Sequence, residues 1–250
     1  MSGLTGRVAL VTGAAGGIGL AASQRLARDG ASVAMADLNG DAVMQAAESV
    51  ASSTDAQTLP IELDVSSRAQ VVDMARKVEA ELGPVNIVVN AAGILELGNI
   101  MEISEQQWDR MLAVNLKGPF LVIQAVLEGM IASGYGRVIN ISSNAGKRGG
   151  MHSGAHYGAS KGGLLALTKN LARYMAQFQM TANCVCPSLT DTNMASVFSP
   201  EDLKAMTEEN PFGRLATPEE IASAISFLSS EDANFINAEM LDVDGGYLAD

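Results

Sequence analysis

The chain has 250 residues, 48% of them hydrophobic and 18% charged, enough for one α/β domain with a sizeable core. Its 28 acidic against 16 basic side chains give a net charge of −12, which argues against a nucleic-acid or anionic-membrane partner, since both reward clustered positive charge. No apolar run approaches the ~20 residues that span a bilayer, and Met1–Arg7 leads straight into an apolar strand without the regions of a secretory leader.

Arg7–Thr12 is a short β-branched run, the mark of a strand buried on both faces. It enters the glycine-rich turn Gly13–Gly19, a helix to about Asp29, and a second strand, Ser32–Ala36, that ends at Asp37. This is a βαβ unit. Helical spacing follows over Asp41–Ala51, a strand over Gln57–Leu63 ending at Asp64, and a helix over Ser66–Leu82 with Ser66 as its N-cap. Gly83-Pro84 stops that helix, and Val85–Val89 is the next buried strand, ending at Asn90. Ser104 caps a long helical stretch reaching about Ala132, and Arg137–Ile141 is a strand ending at Ser142-Ser143. A glycine-rich loop over Gly146–Gly154 precedes the helix that carries Tyr157 and Lys161. Gln179–Cys186 is a strand closed by Pro187, and Thr190–Asn210 is more polar and less periodic. Pro218 opens a last helix, and Glu239–Val243 is the final strand.

Short buried strands alternating with helices give a single doubly wound parallel sheet covered on both faces. In such sheets ligands bind beyond the carboxyl ends of the strands. Gly13, Asp37, Asp64, Asn90, Ser143 and Pro187 each fall just past a strand. Cys184 and Cys186 lie on one strand two residues apart, which does not suit a disulfide, so they read as reduced and buried. No metal is expected, and a cytoplasmic protein is.

The turn Thr12-Gly13-x-x-x-Gly17-x-Gly19, set between strand and helix, lets the backbone approach a pyrophosphate at a helix N-terminus. Asp37 follows Gly19 by 18 residues, where a carboxylate holds ribose hydroxyls and repels a 2′-phosphate. No Lys or Arg lies between Gly13 and Gly19, and Leu38 follows Asp37. The expected cofactor is therefore NAD. Tyr157 and Lys161 lie one helical turn apart on one face, and an ammonium near a phenol lowers its pKa toward working pH. Of the adjacent serines, strand alternation lets one of Ser142 and Ser143 face the tyrosine. Lys147 and Arg148, conspicuous in an acidic chain, are candidates either for an anionic substrate or for a solvated loop tip.

Across the whole chain these features resemble the short-chain dehydrogenase/reductase family. The matching pieces are Thr12–Gly19, Leu63-Asp-Val65, Asn90-Ala-Ala-Gly93, Asn115, Ser143, Tyr157-x-x-x-Lys161 and Val243-Asp-Gly-Gly246. The resemblance implies a Rossmann-type sheet of seven strands and a catalytic tetrad of Asn115, Ser143, Tyr157 and Lys161, with Asn115 holding a water that links Lys161 to solvent. It implies cofactor contacts from Gly13, Ala15, Gly17, Ile18 and Gly19, from Asp37 and Leu38, and from Asp64 and Val65 at the adenine. Further contacts are implied for Asn90, Ala91 and Gly93 at the ribose, for Tyr157 and Lys161, and for Pro187, Thr190 and Thr192 at the carboxamide. It also implies a homotetramer. Two positions depart from the family pattern: Ala91 stands for a second Asn, and Ser188 for the glycine after Pro187. The expected activity is NAD-dependent interconversion of a secondary alcohol (a polyol, sugar, hydroxy acid, or cyclic or aryl alcohol) with its ketone. The alternative is a 3-oxoacyl-thioester or other carbonyl reductase, and a third reading is a non-catalytic dinucleotide-binding protein. The substrate is expected between Ile94–Asn99, Asn144–His156 and a lid over about 190–212.

Overall fold

The apolar runs form the centre of a sheet. A computed structural model describes residues 3–150 and 152–248, so Met151 of the expected glycine-rich loop lies outside the described residues. The strands are β1 (Val8–Thr12), β2 (Ser32–Asp37), β3 (Thr58–Glu62), β4 (Ile87–Asn90), β5 (Arg137–Ile141), β6 (Thr181–Pro187) and β7 (Met240–Val243). They pair in the order β3-β2-β1-β4-β5-β6-β7, every pair parallel. The helices are α1 (Gly17–Arg28), α2 (Gly40–Thr54), α3 (Arg68–Glu81), α4 (Glu105–Leu112), α5 (Gly118–Ser133), α6 (Asn144–Arg148), α7 (Ala155–Ala176), α8 (Pro200–Glu209) and α9 (Pro218–Ser229).

Strand alternation divides the core into two layers. Ala9, Val11, Val33, Met35, Val89 and Ile139 face α1, α2 and α9, where Leu26, Val50 and Ile225 meet them. Val8, Leu10, Ala34, Val88 and Val138 face the other side, against Val78 of α3, Val122 and Val126 of α5, and Met175 of α7. The chain builds outward from β1 to β3, then returns to place β4 on the other side of β1. The crevice beside β1 and β4 is therefore the switch point where such sheets bind ligands.

Three expectations are corrected. Ser67, not Ser66, caps α3, because the Ser66 hydroxyl turns back to donate to the Asp64 carboxylate at 2.7 Å. The polar stretch after Thr190 contains a 3₁₀ turn over Asn193–Val197 and then α8. Ser199 caps that helix, Pro200 opens it and Glu201 and Asp202 complement its dipole, a start signal present in the sequence. The stretch capped by Ser104 is one long helix over Glu105–Ser133, as its spacing indicates, running through a π turn (Ala113–Lys117). Its most apolar 18-residue window has a mean hydropathy of 1.3, which corrects the expectation that no run is long and apolar enough to span a bilayer. By length and composition it is able to cross a membrane; here its apolar residues are spent on the layer against α3 and the sheet.

A buried polar chain ties the sheet to α7. Asn90 Nδ2 donates to Asn140 Oδ1 at 2.8 Å, Asn140 Nδ2 donates to Thr168 Oγ1 at 2.8 Å, and Thr168 donates to the Leu164 carbonyl. Asn140 is fully enclosed, so deleting its amide strands partners that water cannot reach. Asn140→Ala is expected to lose about 2–4 kcal/mol of stability, read as a lowered urea midpoint with an unchanged slope.

Candidate active site

The glycine loop after β1 forms a cradle. Gly13 has φ +69°, and a Cβ there would lie 2.8 Å from the Ala92 nitrogen. A Cβ on Gly19 would lie 2.1 Å from the Gly13 carbonyl oxygen. At these two positions the loop has no room for a side chain. Gly16 caps α1 without a side-chain acceptor, and no acidic residue sits in the first turn. Those N–H groups are thus available to an anion, as a pyrophosphate requires. The residues present fit a dinucleotide.

At one end of the cradle, Asp37 accepts from the Ala15 N–H at 3.1 Å and from the Asn39 N–H at 3.1 Å. The hollow beside it is lined by Asp37, exposed Leu38, Asn39, Gly40, Asp41 and Glu62. Three carboxylates and no cation line this place. Asp64 accepts from Ser66, and Val65 is buried with its side chain packed over Gly118.

At the other end, β5 and α7 bring the candidate catalytic groups together. Ser143 lies beside the Tyr157 hydroxyl, where it favours the ionised phenol, while its own Oγ donates to Asn144 Oδ1 at 3.2 Å and accepts from the Ala145 N–H at 3.1 Å. Ser142 instead donates to the Lys161 carbonyl at 3.0 Å, which settles which serine faces the tyrosine. Lys161 Nζ donates to the Ile141 carbonyl at 2.8 Å and lies 5.8 Å from the centre of the Tyr157 ring. A Cβ on Gly93 would sit 3.6 Å from that ammonium and 3.3 Å from Asn115 Oδ1, so the chain after β4 threads between the two. Asn115 is fully buried in the π turn. Its Oδ1 accepts from the Ile94 N–H at 2.8 Å, and its Nδ2 donates to the Ile94 carbonyl at 2.9 Å and to Ser160. Its side-chain amide is fully engaged, so the water expected of Asn115 would fall to its main-chain carbonyl.

A cavity of about 160 Å³ joins these parts. Of the residues singled out in the sequence, Ile18, Ala91, Gly93, Ser143, Tyr157, Lys161, Pro187, Thr190 and Thr192 line it. Gly13, Ala15, Gly17 and Gly19 form the cradle beside it, with Gly17 closing on Thr192: a Cβ there would sit 3.1 Å from the threonine methyl. Leu95, Leu189, Met194, Phe198 and Met206 give the cavity an apolar wall. The sequence reading missed Arg214 and Tyr247, which reach the cavity from far along the chain.

A family model described as "Enoyl-(Acyl carrier protein) reductase" matches residues 13–248. The chain is 35% identical to a 3-oxoacyl-[acyl-carrier-protein] reductase of Aquifex aeolicus, covering 97% of this chain and 98% of that protein. It is 37% identical to a (3R)-3-hydroxyacyl-CoA dehydrogenase of Mus musculus, covering 97% and 96%. Among solved structures, a short-chain type dehydrogenase/reductase from Mycobacterium marinum superposes with a TM-score of 0.93 at 31% identity, covering 99% of this chain and 97% of the other. The chain belongs to the short-chain dehydrogenase/reductase family.

In this short-chain dehydrogenase/reductase, the electrostatics of the pair differ from the sequence expectation. Burial pushes the Tyr157 phenol up to about 12, opposed by the hydrogen bond from Ser143. Burial also brings the Lys161 ammonium down to about 8. A dry site disfavours both charged forms, and at 5.8 Å from the ring the ammonium does not overcome that for the phenol. Lys147 is not placed for a substrate: its ammonium lies 2.5 Å from the Asp242 carboxylate and 3.1 Å from the Met240 carbonyl, tying α6 to β7. Arg148 lies 5.0 Å over the Tyr247 ring at the cavity edge.

The lowered Lys161 value fixes a pH signature. Between about 8, its folded value, and 10.5, its ordinary value, the unfolded chain binds more protons at this position, so Lys161 makes stability rise with pH in that window. The stability of the wild type relative to Lys161→Met should therefore increase as pH is raised from 8 toward 10.5, read by urea unfolding at a series of pH values. A flat difference would contradict the buried-ammonium assignment.

Proposed function

We propose that this short-chain dehydrogenase/reductase interconverts a 3-hydroxyacyl thioester and the 3-oxoacyl thioester, using NAD(H). One observation carries the reading: the apolar wall of Leu95, Leu189, Met194, Phe198 and Met206 opens directly from the Ser143–Tyr157 pair. It suits an acyl chain whose C3 oxygen rests on those hydroxyls, and suits a sugar or polyol poorly. The sequence expectation puts polyols, sugars and cyclic alcohols first and the acyl thioester second. The relatives' names, which specify oxoacyl and hydroxyacyl thioesters, support the reverse order.

In the oxidising direction, Tyr157 takes the proton of the C3 hydroxyl as a carbon–oxygen double bond forms. In reduction it returns that proton. Ser143 donates to the same oxygen and orients it. Lys161 favours the phenolate and is placed to hold ribose hydroxyls. Asn115 fixes the main chain at Ile94 that borders the site. The chemistry a bound nicotinamide supplies here is acceptance of the C3 hydride, or its return. Its positive charge in the oxidised form supports the tyrosine shift that burial opposes.

The pure protein should reduce acetoacetyl-CoA with NADH and oxidise 3-hydroxybutyryl-CoA with NAD⁺. Tyr157→Phe should lower kcat by about a thousandfold, a loss typical of removing a general acid–base, while the NADH Kd stays unchanged. Turnover of polyols or sugars with none of the thioesters would overturn the proposal.

The choice of NAD rests on the hollow beside Asp37. Asp37, Asp41 and Glu62 all meet a group placed there, and each repels a 2′-phosphate. Asp37→Ala should weaken NADH binding by about tenfold, the worth of a charge-assisted hydrogen bond, and leave NADPH no weaker. Tighter NADPH than NADH binding by the wild type would refute this choice.

A further inference from the structure

The cavity is lined by eight hydroxyl-bearing side chains, and their hydrogen bonds sort them. Ser142 donates to the Lys161 carbonyl, Ser143 donates to Asn144 Oδ1 at 3.2 Å beside the Tyr157 hydroxyl, and Tyr247 donates to Glu209 at 2.7 Å. Thr190 donates to the Ser188 carbonyl at 3.2 Å, and Thr192 to the Thr190 carbonyl at 3.5 Å. Two remain. The Ser153 and Ser188 hydroxyl oxygens are sealed from solvent and have no partner among the described residues. A buried hydroxyl without a partner costs stability, so its retention at a cavity wall points to a ligand atom that completes it.

The two serines reach the cavity from different segments of the chain. Ser153 lies in the loop that leads into α7, four residues before Tyr157, and Ser188 directly follows Pro187 at the end of β6. Ser188 also stands where the family pattern usually has glycine, a position at which a hydroxyl is not needed for the fold. A 3-oxoacyl thioester carries a second oxygen, the thioester carbonyl, one methylene from the reacting carbon. Ser143 and Tyr157 are occupied by the first oxygen. We infer that Ser153 and Ser188 donate to the thioester carbonyl and so select substrates with an oxygen at that spacing over plain alcohols and ketones. The inference rests on the thioester reading above and adds the residues that enforce it.

The test compares two substrates in four proteins. Wild type, Ser153→Ala, Ser188→Gly and the double variant are assayed with acetoacetyl-CoA and with a plain ketone such as cyclohexanone, and acetoacetyl-CoA affinity is measured by calorimetry. Each single substitution should lower kcat/KM for acetoacetyl-CoA by about tenfold and weaken its binding, while the plain ketone changes by less than about twofold, because a lost donor is felt only by the oxygen it served. Ser188→Thr, which restores a hydroxyl, should recover most of the loss. NADH affinity and melting temperature serve as controls for the fold. A wild type that uses acetoacetyl-CoA, with variants that leave the preference unchanged or lower both substrates alike, contradicts the serine assignment alone. A wild type that neither binds nor reduces acetoacetyl-CoA contradicts both the thioester reading and this inference.

Discussion

An ammonium group held inside the protein without a carboxylate beside it is the constraint around which the site is built. Lys161 is buried, and its ammonium donates to the Ile141 carbonyl at the end of β5. An unpaired buried charge is costly, so the groups that keep it there must be numerous and close. Ser142 grips the Lys161 carbonyl. Gly146 lets α6 press onto the same turn, since a Cβ there would lie 2.8 Å from the Lys161 carbonyl carbon. Gly93 leaves space for the ammonium on the far side, and Asn115 holds the next residue of that strand extension.

The same dryness acts in opposite senses on the two members of the pair. It favours the neutral lysine and the neutral tyrosine together, at about 8 and about 12. The ion-paired form that proton transfer requires is therefore uphill in the cofactor-free protein. A cation arriving beside the phenol tips the balance. On the proposed reading, proton chemistry would in this way be coupled to occupation of the cradle formed by Gly13 and Gly19. At the remote end of that cradle the carboxylates of Asp37, Asp41 and Glu62 are the groups proposed to select the dinucleotide. At the near end, the apolar wall and the hydroxyls are those proposed to select the substrate.

Much of this was legible in the chain because it is local. Buried parallel strands are continuous apolar runs, and β1, β4 and β5 lie where those runs do. The glycine loop and Asp37 are legible because a turn and a strand end fix their places. What was not legible depends on neighbours distant in sequence. Lys147 looked available to a substrate, yet its partner Asp242 is brought beside it only by the pairing of β6 with β7. Glu62 joins Asp37 because β3 pairs with β2 in that register. Spacing on a helix gives the direction in which Lys161 acts on Tyr157, but burial, which outweighs it, is a property of the whole fold. The helix α8 was missed although its cap was written in Ser199-Pro200-Glu201-Asp202, because weak apolar periodicity hid it.

The central claim is that burial holds Tyr157 protonated until a cation enters the site. The direct measurement is the tyrosinate absorbance of wild type minus Tyr157→Phe, titrated with pH in the absence and presence of NAD⁺. Without NAD⁺, the Tyr157 signal should still be absent at pH values where a free phenol, with a pKa of about 10, has ionised. With NAD⁺ it should appear below that ordinary value. Ionisation of Tyr157 near the ordinary value in both conditions, unmoved by NAD⁺, would contradict the account.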